Sequence, residues 1–315
     1  MDKSEGNIYS QRFRSLCTEG GTSAFFTELL REVETLCESL RIKDKQRVAD
    51  NLERLWLPIA LDIAAKRNKL NRTLIQGILG GQGTGKTTLC LILQHILNYL
   101  NYSTATLSID DLYLTYAQRQ VLQQQDPRLV WRGPPGTHDL NLGIQVIERC
   151  LQGDSTTKIL LPRFDKSAFN GAGDRTSPEA ISKPDILLFE GWFIGVQPLK
   201  ECTNFPLPIV TEADRQFAKD NNQRLQAYLP LWNKLDSLIV LYPEDYRLSQ
   251  QWRKEAEQKM IATGKTGMSD QECDRFVEYF WKALHPELYI KPLIQTADLV
   301  IEIKSDRTTK LLNRI

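Results

Sequence analysis

The sequence contains little that would build a metal centre. Only 3 of its 315 residues are histidine, and its 6 cysteines form no C-x-x-C pair. Structural zinc sites need closely spaced Cys and His ligands, so a zinc site is not expected. The cysteines are interpreted instead as small, reduced and buried side chains of a cytosolic protein.

The sequence also lacks long apolar segments and a dominant charge. No apolar run reaches the roughly 18 residues that a membrane-spanning helix needs, and the stretch MDKSEGNIYSQRFRSLC lacks the apolar core of a signal peptide. Lys and Arg number 40 and Asp and Glu number 39, so the net charge is +1. This balance gives no indication of binding to nucleic acid or to an anionic membrane. We therefore expect a cytoplasmic protein, or a mature form that has already been processed, without either partner.

The spacing of apolar residues predicts an α/β protein with a helical N-terminal extension. Residues 1–70 show helical spacing only, whereas short apolar runs alternate with helical stretches from residue 72 onward. Such alternation predicts a parallel sheet with helices on both faces and a binding site at the carboxyl ends of the strands. We therefore predict an extension over 1–70 and a second domain over 71–315. The predicted strands are 73–79, 104–109, 158–161, 185–189, 237–241 and 299–303. The predicted helices are 86–100, 140–152, 212–228, 244–262 and 270–284, and the predicted loops are 133–137 and 170–178.

A phosphate-binding motif lies between the first predicted strand and the first predicted helix of this domain. The segment GILGGQGTGKTTLC (77–90) contains G-x-x-x-x-G-K-[ST] in the strand and helix context that the motif requires. Its glycines allow a tight turn whose N–H groups face phosphate oxygens, at the positive end of the following helix. Lys86 would reach the β- and γ-phosphates, and the Thr87 hydroxyl would ligate Mg²⁺. ATP and Mg²⁺ are the expected cofactors. The candidate nucleotide-binding residues are Gly80, Gly81, Gln82, Gly83, Thr84, Gly85, Lys86, Thr87 and Thr88.

Two further motifs in the sequence resemble nucleotide-binding signatures without the required context. NKLD (233–236) matches the guanine-reading motif of GTPases, but it precedes a predicted strand, which places it at the wrong end of the sheet. ATGKTG (262–267) lacks the first glycine of the phosphate motif and the strand before it. We interpret the second segment as a turn between helices. A GTPase switch and a motor ATPase are therefore the less favoured alternatives.

Two carboxylates at predicted strand ends favour phosphoryl transfer to a hydroxyl group. Asp110 follows the second strand and could accept the proton of an acceptor hydroxyl, although an Asp pair here could also cap a turn. Glu190 ends the apolar strand DILLFEG, where a carboxylate can bind Mg²⁺, although it could also be a turn residue before Gly191. The sequence leaves open which carboxylate is the base and which organises the metal ion.

These parts together resemble the P-loop kinases of the uridine kinase and pantothenate kinase group. RGPPGTHD (132–139), PRFDKS (162–167), GAGDR (171–175) and FEGWFIG (189–195) resemble, more narrowly, the D-glycerate 3-kinases of plants, fungi and cyanobacteria. The resemblance covers roughly residues 70–305. It implies a P-loop NTPase fold with a lid around 244–270. It also implies phosphorylation of D-glycerate by ATP to give 3-phosphoglycerate, a step of photorespiration.

The residue types in these segments suit an acceptor of this kind. Glycerate is small and carries a carboxylate and two hydroxyl groups, so its site should be rich in cations and hydrogen-bond donors. Each charge could instead be a solvated loop residue, and His138 could merely bond a loop carbonyl. The candidate acceptor-binding residues are Asp110, Tyr113, Arg132, His138, Asp139, Arg163, Asp165 and Lys166.

Arg253 completes the predicted catalytic set, because a basic lid helix could neutralise charge in the transition state. It could also be an exposed residue of a surface helix. The set is Lys86, Asp110, Glu190 and Arg253, with Thr87 and Glu190 as the candidate metal ligands. A related kinase with another hydroxylated acceptor and a nucleotide-dependent switch protein remain as alternatives. We expect a monomer or a weak homodimer.

Overall fold

The computed structural model describes residues 21–154, 156, 158–262, 264 and 267–313. The chain divides into two compact units. The first unit consists of Met1–Leu74, Thr87–Thr106 and Pro184–Leu187, and the second of Ile75–Lys86, Leu107–Lys183 and Leu188–Ile315. The predicted division of the chain near residue 70 stays a prediction.

The first unit is built mainly from helices. They are α1 (Gly21–Ser39), α2 (Lys45–Asn51), α3 (Leu57–Leu70) and α4 (Lys86–Tyr99), with a π-helical turn at Leu52–Trp56. Asp44 caps α2 by accepting the Arg47 N–H, and Asn71 ends α3 in the left-handed conformation. α1 packs on α4 through Phe25 and Tyr99, whose ring centres lie 5.4 Å apart. The helices predicted before residue 70 are confirmed where the structure describes them, from residue 21.

The central sheet has six strands. They are β1 (Leu74–Gly80), β2 (Thr104–Ser108), β5 (Ile186–Gly191), β6 (Ser237–Pro243), β7 (Leu299–Ile303) and β8 (Thr309–Asn313), in the order β2-β5-β1-β6-β7-β8. β6 pairs in parallel with β1 and with β7, whereas β8 pairs antiparallel with β7. Every residue of β1 and β5 is buried, as expected for central strands covered on both faces. The predicted α/β class is confirmed, and β8 is an addition that the sequence reading missed.

One predicted strand does not belong to this sheet. The run at 158–161 forms part of β3 (Ile159–Asp165), which pairs antiparallel with β4 (Asp174–Ile181) in a separate hairpin. The physical reason is that only eight residues join the two strands, too few for the crossover that parallel pairing requires. β4 is largely exposed, unlike a central strand. The loop predicted for 170–178 is therefore wrong from residue 174 onward.

The remaining helices belong to the second unit. Asp139, Thr211 and Ser269 cap three of them with their side chains. The predicted helices are confirmed, but the one expected from residue 244 begins at 248, and α5 was missed. The helices are α5 (Tyr116–Gln125), α6 (Leu140–Gln152), α7 (Glu212–Arg224), α8 (Leu229–Trp232), α9 (Leu248–Ile261), α10 (Asp270–Ala283) and α11 (Pro286–Tyr289). Shorter 3-10 turns occupy Ile109–Leu112, Leu225–Tyr228 and Lys291–Gln295.

The structure also tests the interpretations of NKLD, ATGKTG and the cysteines. Asp236 accepts the Ile75 N–H at 2.9 Å, and its own N–H donates to the Ile75 carbonyl. NKLD therefore lies at the amino end of β1, opposite the phosphate motif, as predicted. ATGKTG lies partly outside the described residues. Among the described cysteines, four are buried and Cys202 is partly exposed, and all are free thiols. No helix in the described ranges is long and apolar enough to cross a membrane.

Candidate active site

The phosphate motif forms a tight loop between β1 and α4. Gly83 and Gly85 have φ angles of +76° and +84°, which favour glycine. The Thr84 hydroxyl donates to the Gly81 carbonyl at 2.8 Å. A Cβ atom at Gly80 would lie only 2.5 Å from that hydroxyl oxygen. The loop therefore needs these glycines, and it leads directly into the N-terminus of α4 at Lys86, where N–H groups are available to an anion.

Two residues outside the phosphate motif, which the sequence did not predict, contact this loop. Arg307, in the turn between β7 and β8, donates from Nη1 to the Gly83 carbonyl at 2.6 Å. Its guanidinium lies 4.2 Å from the ring centre of Trp252 on α9. Trp252 is buried, and a Cβ atom at Gly83 would come within 2.7 Å of its Cβ. No local pattern signals these contacts, because Arg307 and Gly83 are 224 residues apart in the chain.

Asp110 lies where the predicted donor and acceptor halves of the site meet. Its Oδ2 accepts a hydrogen bond from Lys166 Nζ at 2.6 Å, and its Oδ1 accepts one from the Tyr113 hydroxyl at 2.8 Å. Burial alone would raise the pKa of Asp110, but Lys166, Lys86 and Tyr113 together lower it to about 2. The carboxylate is therefore ionised at neutral pH and interacts with the lysine of the phosphate loop.

The neighbouring Asp111 has a different environment. Its carboxylate completes a capping box with Ser108 at the 3-10 turn and accepts the Phe164 N–H at 3.2 Å. It also lies 3.1 Å from Arg163 Nη1. Burial raises the pKa of Asp111, and these hydrogen bonds and Arg163 only partly oppose that effect. Asp111 thus joins the turn to the β3–β4 hairpin, and Asp110 is the carboxylate that faces Lys86.

The segments that carried the family resemblance converge on this turn. Backbone hydrogen bonds at Leu112, Leu114, Thr137 and Asp139 pair the two chain segments, so that Tyr113 lies beside His138. From the sequence, only the family resemblance predicted that these segments lie close together in space.

Side chains of the same segments form further hydrogen bonds between these parts of the site. Arg175 donates to the Tyr113 carbonyl at 2.9 Å and to Asp139 at 2.8 Å. Trp192 Nε1 donates to the Gly133 carbonyl at 3.1 Å. Arg132 donates to carbonyls of the β3–β4 turn, at Gly171 and Ala172, and lies over the Tyr113 ring.

His138 is a buried and neutral member of this cluster. Its Nδ1 lies 2.8 Å from the hydroxyl of Tyr228, which also accepts the Gly136 N–H at 2.9 Å. Each neutral tautomer leaves one buried donor without a partner among the described residues, which is the Tyr228 O–H if Nδ1 carries the proton and the Nε2–H if Nε2 carries it. Burial lowers the pKa of His138 to about 3, although the nearby Asp110 favours the charged form.

Several of the predicted acceptor-binding residues already have protein partners. Arg163 binds Glu179, at 2.6 Å from Nη2, in addition to Asp111. Asp139 caps α6 by accepting the Leu142 N–H, and Asp165 accepts hydrogen bonds from Ser167 in the exposed hairpin turn. The predicted contacts of these residues with an acceptor stay predictions.

The remaining predicted catalytic residues are Glu190 and Arg253. Glu190 is buried at the carboxyl end of β5, next to the FEGWFIG turn. Arg253 on α9 pairs with Glu257 of the same helix and lies 5.1 Å from the ring centre of Phe276. The described part of the chain contains no group of three His, Cys, Asp or Glu residues that could hold a metal ion by itself. Magnesium that arrives with a nucleotide does not need such a group, because phosphate oxygens supply ligands.

Comparison with known proteins identifies relatives of this chain. It is 35% identical to a chloroplastic D-glycerate 3-kinase of Arabidopsis thaliana over 255 residues, which are 76% of this chain and 54% of that protein. It is 33% identical to an uncharacterized kinase of Schizosaccharomyces pombe, with 66% of this chain and 79% of that protein covered. A probable ATP-dependent kinase of Saccharomyces cerevisiae is 30% identical, with 70% and 79% covered. The chain thus spans about half the length of the plant relative but most of both fungal ones.

A solved structure supports the same relationship. The D-glycerate 3-kinase of Cryptococcus neoformans superposes with a TM-score of 0.71 and 26% identity. The superposition covers 82% of this chain and 98% of that protein. No family model matches the sequence.

Proposed function

Because the chain belongs to the P-loop kinase family that includes D-glycerate 3-kinase, we propose that it phosphorylates D-glycerate. The phosphoryl donor is ATP, and the products are ADP and 3-phosphoglycerate. The observation that carries the proposal is the position of Asp110, which interacts with Lys86 of the phosphate loop and bonds to Lys166 of the acceptor side. The plant and Cryptococcus relatives bear the name of this activity.

The reaction needs a proton acceptor beside the phosphate loop. In the proposed step, the 3-hydroxyl oxygen of D-glycerate forms a bond to the γ-phosphorus, and its proton passes to Asp110. The bond between the γ-phosphorus and the β,γ-bridging oxygen breaks, and its electron pair leaves with ADP. Lys86 binds the β- and γ-phosphates and offsets the charge that develops as the bridge breaks. As part of the proposal, Nε2 of His138 carries the imidazole proton and donates to an oxygen of the acceptor, which would give this buried nitrogen the partner that it lacks among the described residues.

Mg²⁺ fits the oxygen donors available near the phosphates. Glu190 offers a carboxylate at a strand end, and Thr87, the residue after Lys86, offers a hydroxyl group. Such hard oxygen ligands are those that magnesium prefers, together with phosphate oxygens and water. When bound with ATP, the ion neutralises phosphate charge. We assign Thr87 and Glu190 to this role as part of the proposal.

A panel of acceptors tests the proposed function. The chain is incubated with Mg-ATP and, separately, D-glycerate, L-glycerate, glycerol, uridine or pantothenate, and ADP release is followed by a coupled assay. We expect ADP release with D-glycerate, and none when Lys86→Ala replaces the wild type. No release above background with D-glycerate would refute the proposal. Release with another panel member alone would indicate a related kinase, and release that ignores every acceptor would indicate a nucleotide-dependent switch.

Two further properties remain predictions. The cytoplasmic location stays a prediction, and the plant relative is named as chloroplastic. We also retain a monomer or weak homodimer as the expected oligomeric state, which sedimentation velocity at two protein concentrations would test.

A further inference from the structure

Both oxygens of the candidate base accept a hydrogen bond from a protein side chain. Lys166 Nζ bonds to Asp110 Oδ2 at 2.6 Å, and the Tyr113 hydroxyl bonds to Oδ1 at 2.8 Å. Charge-assisted hydrogen bonds of this kind stabilise the ionised carboxylate and oppose proton uptake. A base held in this way cannot readily accept the proton of an incoming hydroxyl group. Each carboxylate oxygen keeps a second lone pair for an incoming hydroxyl group, so the obstacle is the positive charge of Lys166, whose departure would make Asp110 a stronger base.

The two donors differ in their freedom to move. Tyr113 is 4% exposed, it is paired through its backbone with the segment of His138, and its ring stacks on that imidazole with centres 4.6 Å apart. The Lys166 side chain is 62% exposed and extends from the β3–β4 turn on a flexible stem. Of the two, Lys166 is the donor that can leave Asp110 without disrupting buried packing.

We propose that the acceptor's own carboxylate draws Lys166 away from Asp110 and thereby exposes the base. This inference rests on the proposed function and deepens it. A neutral hydroxyl group cannot compete with the full charge of Asp110 for the ammonium group, whereas a second carboxylate can. In the exchanged state, Lys166 binds the acceptor carboxylate, and Asp110 Oδ2 accepts the proton of the hydroxyl oxygen that attacks the γ-phosphorus. Lys166 is thus a specificity-determining residue that makes an anionic acceptor a requirement for turnover.

The charges around Asp110 are consistent with such an exchange. Among the described residues, the interactions with it that are resolved come from Lys166 of the hairpin turn, Lys86 of the phosphate loop, Tyr113 and Asp111 of its own turn, and His138 of the paired segment. His138 is neutral, and Lys86 is a cation that stays close enough to stabilise the Asp110 carboxylate once Lys166 has moved. ATP phosphates would in turn engage Lys86. Binding of both substrates therefore removes cations from the base and favours proton uptake.

The test compares D-glycerate with glycerol, which keeps the two hydroxyl groups of glycerate and has a neutral hydroxymethyl group in place of the carboxylate. Lys166→Met removes the ammonium group and keeps the length of the stem, and Lys219→Met, an exposed lysine of α7, is the matched control. In the wild type and in the control, we expect kcat with D-glycerate to be much larger than kcat with glycerol. In Lys166→Met, we expect the KM for D-glycerate to rise and kcat with glycerol to rise, each by about tenfold or more.

A second readout separates this mechanism from a purely structural role. Lys166 pairs with Asp110 in the free enzyme, so loss of the ammonium group should raise the pKa of Asp110 there, and the acidic limb of the kcat/KM–pH profile should move to higher pH in Lys166→Met but not in Lys219→Met. Equal losses of kcat with both acceptors, or glycerol turnover that stays at background in the variant, would refute the exchange alone. If the wild type does not phosphorylate D-glycerate, the proposed function fails, and this inference fails with it.

Discussion

Arg307 offers the sharpest test of how the phosphate loop is held. Its Nη1 donates to the Gly83 carbonyl at 2.6 Å, its guanidinium covers the Trp252 ring, and its Nη2 lies 3.2 Å from Glu255. A trans peptide is planar, so a donor that fixes the Gly83 carbonyl also fixes the Thr84 N–H on the opposite side. We therefore predict that Arg307→Ala weakens ATP binding although the residue lies outside the motif.

The magnitude follows from the three contacts. A hydrogen bond from a charged donor contributes about 1.5–3 kcal/mol, and the lower end applies because the Arg307 side chain is 38% exposed. The stacking on Trp252 adds about 0.5–1 kcal/mol, and the exposed ion pair with Glu255 adds less than about 1 kcal/mol. Only the contact with Gly83 bears on the loop geometry. About 1.4 kcal/mol of lost binding corresponds to a tenfold rise in the KM for ATP.

The assay measures the KM for ATP and for D-glycerate together with the thermal midpoint. Arg307→Ala should raise the KM for ATP about tenfold and leave that for D-glycerate within about twofold. The matched control is Glu255→Gln, which removes the ion pair but keeps the bond to Gly83, and it should leave both KM values nearly unchanged. A lower thermal midpoint with an unchanged KM for ATP would show that Arg307 only braces the fold, and our reasoning would be refuted.

Four further predictions test other parts of the site. Asp110→Asn should lower kcat by about 10²–10⁴-fold with little change in ATP affinity; equal losses in both would assign Asp110 to the metal ion. Arg163→Ala should raise the KM for D-glycerate about tenfold, and an unchanged KM would leave Arg163 only its role in the hairpin. Gly83→Ala forces a side chain into φ +76° and against Trp252, so urea unfolding should show a loss of at least about 1–2 kcal/mol; a variant as stable as the wild type would contradict this strain. The lowered pKa of His138, about 3, means that the unfolded chain takes up a proton first as pH falls below about 6.5. Stability should therefore fall by up to about 1.4 kcal/mol per pH unit below 6.5. His138→Gln should reduce that slope in urea titrations at pH 7, 6 and 5, and an identical slope would show that His138 is protonated in the folded state.

The sequence predicted the donor half of the site well, because that half is local. The glycines and the lysine of the phosphate motif lie within eight consecutive residues, and the strand and helix around them follow from apolar spacing. Local position also excluded NKLD as a guanine-binding motif, because a segment before a strand lies at the amino end of the sheet. The family also followed from contiguous segments, and the comparisons confirm it.

The β3–β4 hairpin shows where apolar spacing fails. A short apolar run has the same pattern in a central parallel strand and in an edge hairpin, because the pattern does not indicate which strand it pairs with. The partner strand, β4, is exposed and polar, so its own pattern indicated a loop. Only pairing across the turn makes it a strand.

The sequence alone thus determined the fold class, the phosphate motif and the family, because each depends on residues close together in the chain. The folded chain is needed to tell which of two adjacent carboxylates interacts electrostatically with Lys86, since Asp110 and Asp111 differ in partners rather than in type. It alone brought Lys166 onto Asp110 and Arg307 onto Gly83, across 56 and 224 residues. Hydrogen bonds and charge act over a few ångströms of space, whatever the distance along the chain, and local patterns cannot report them.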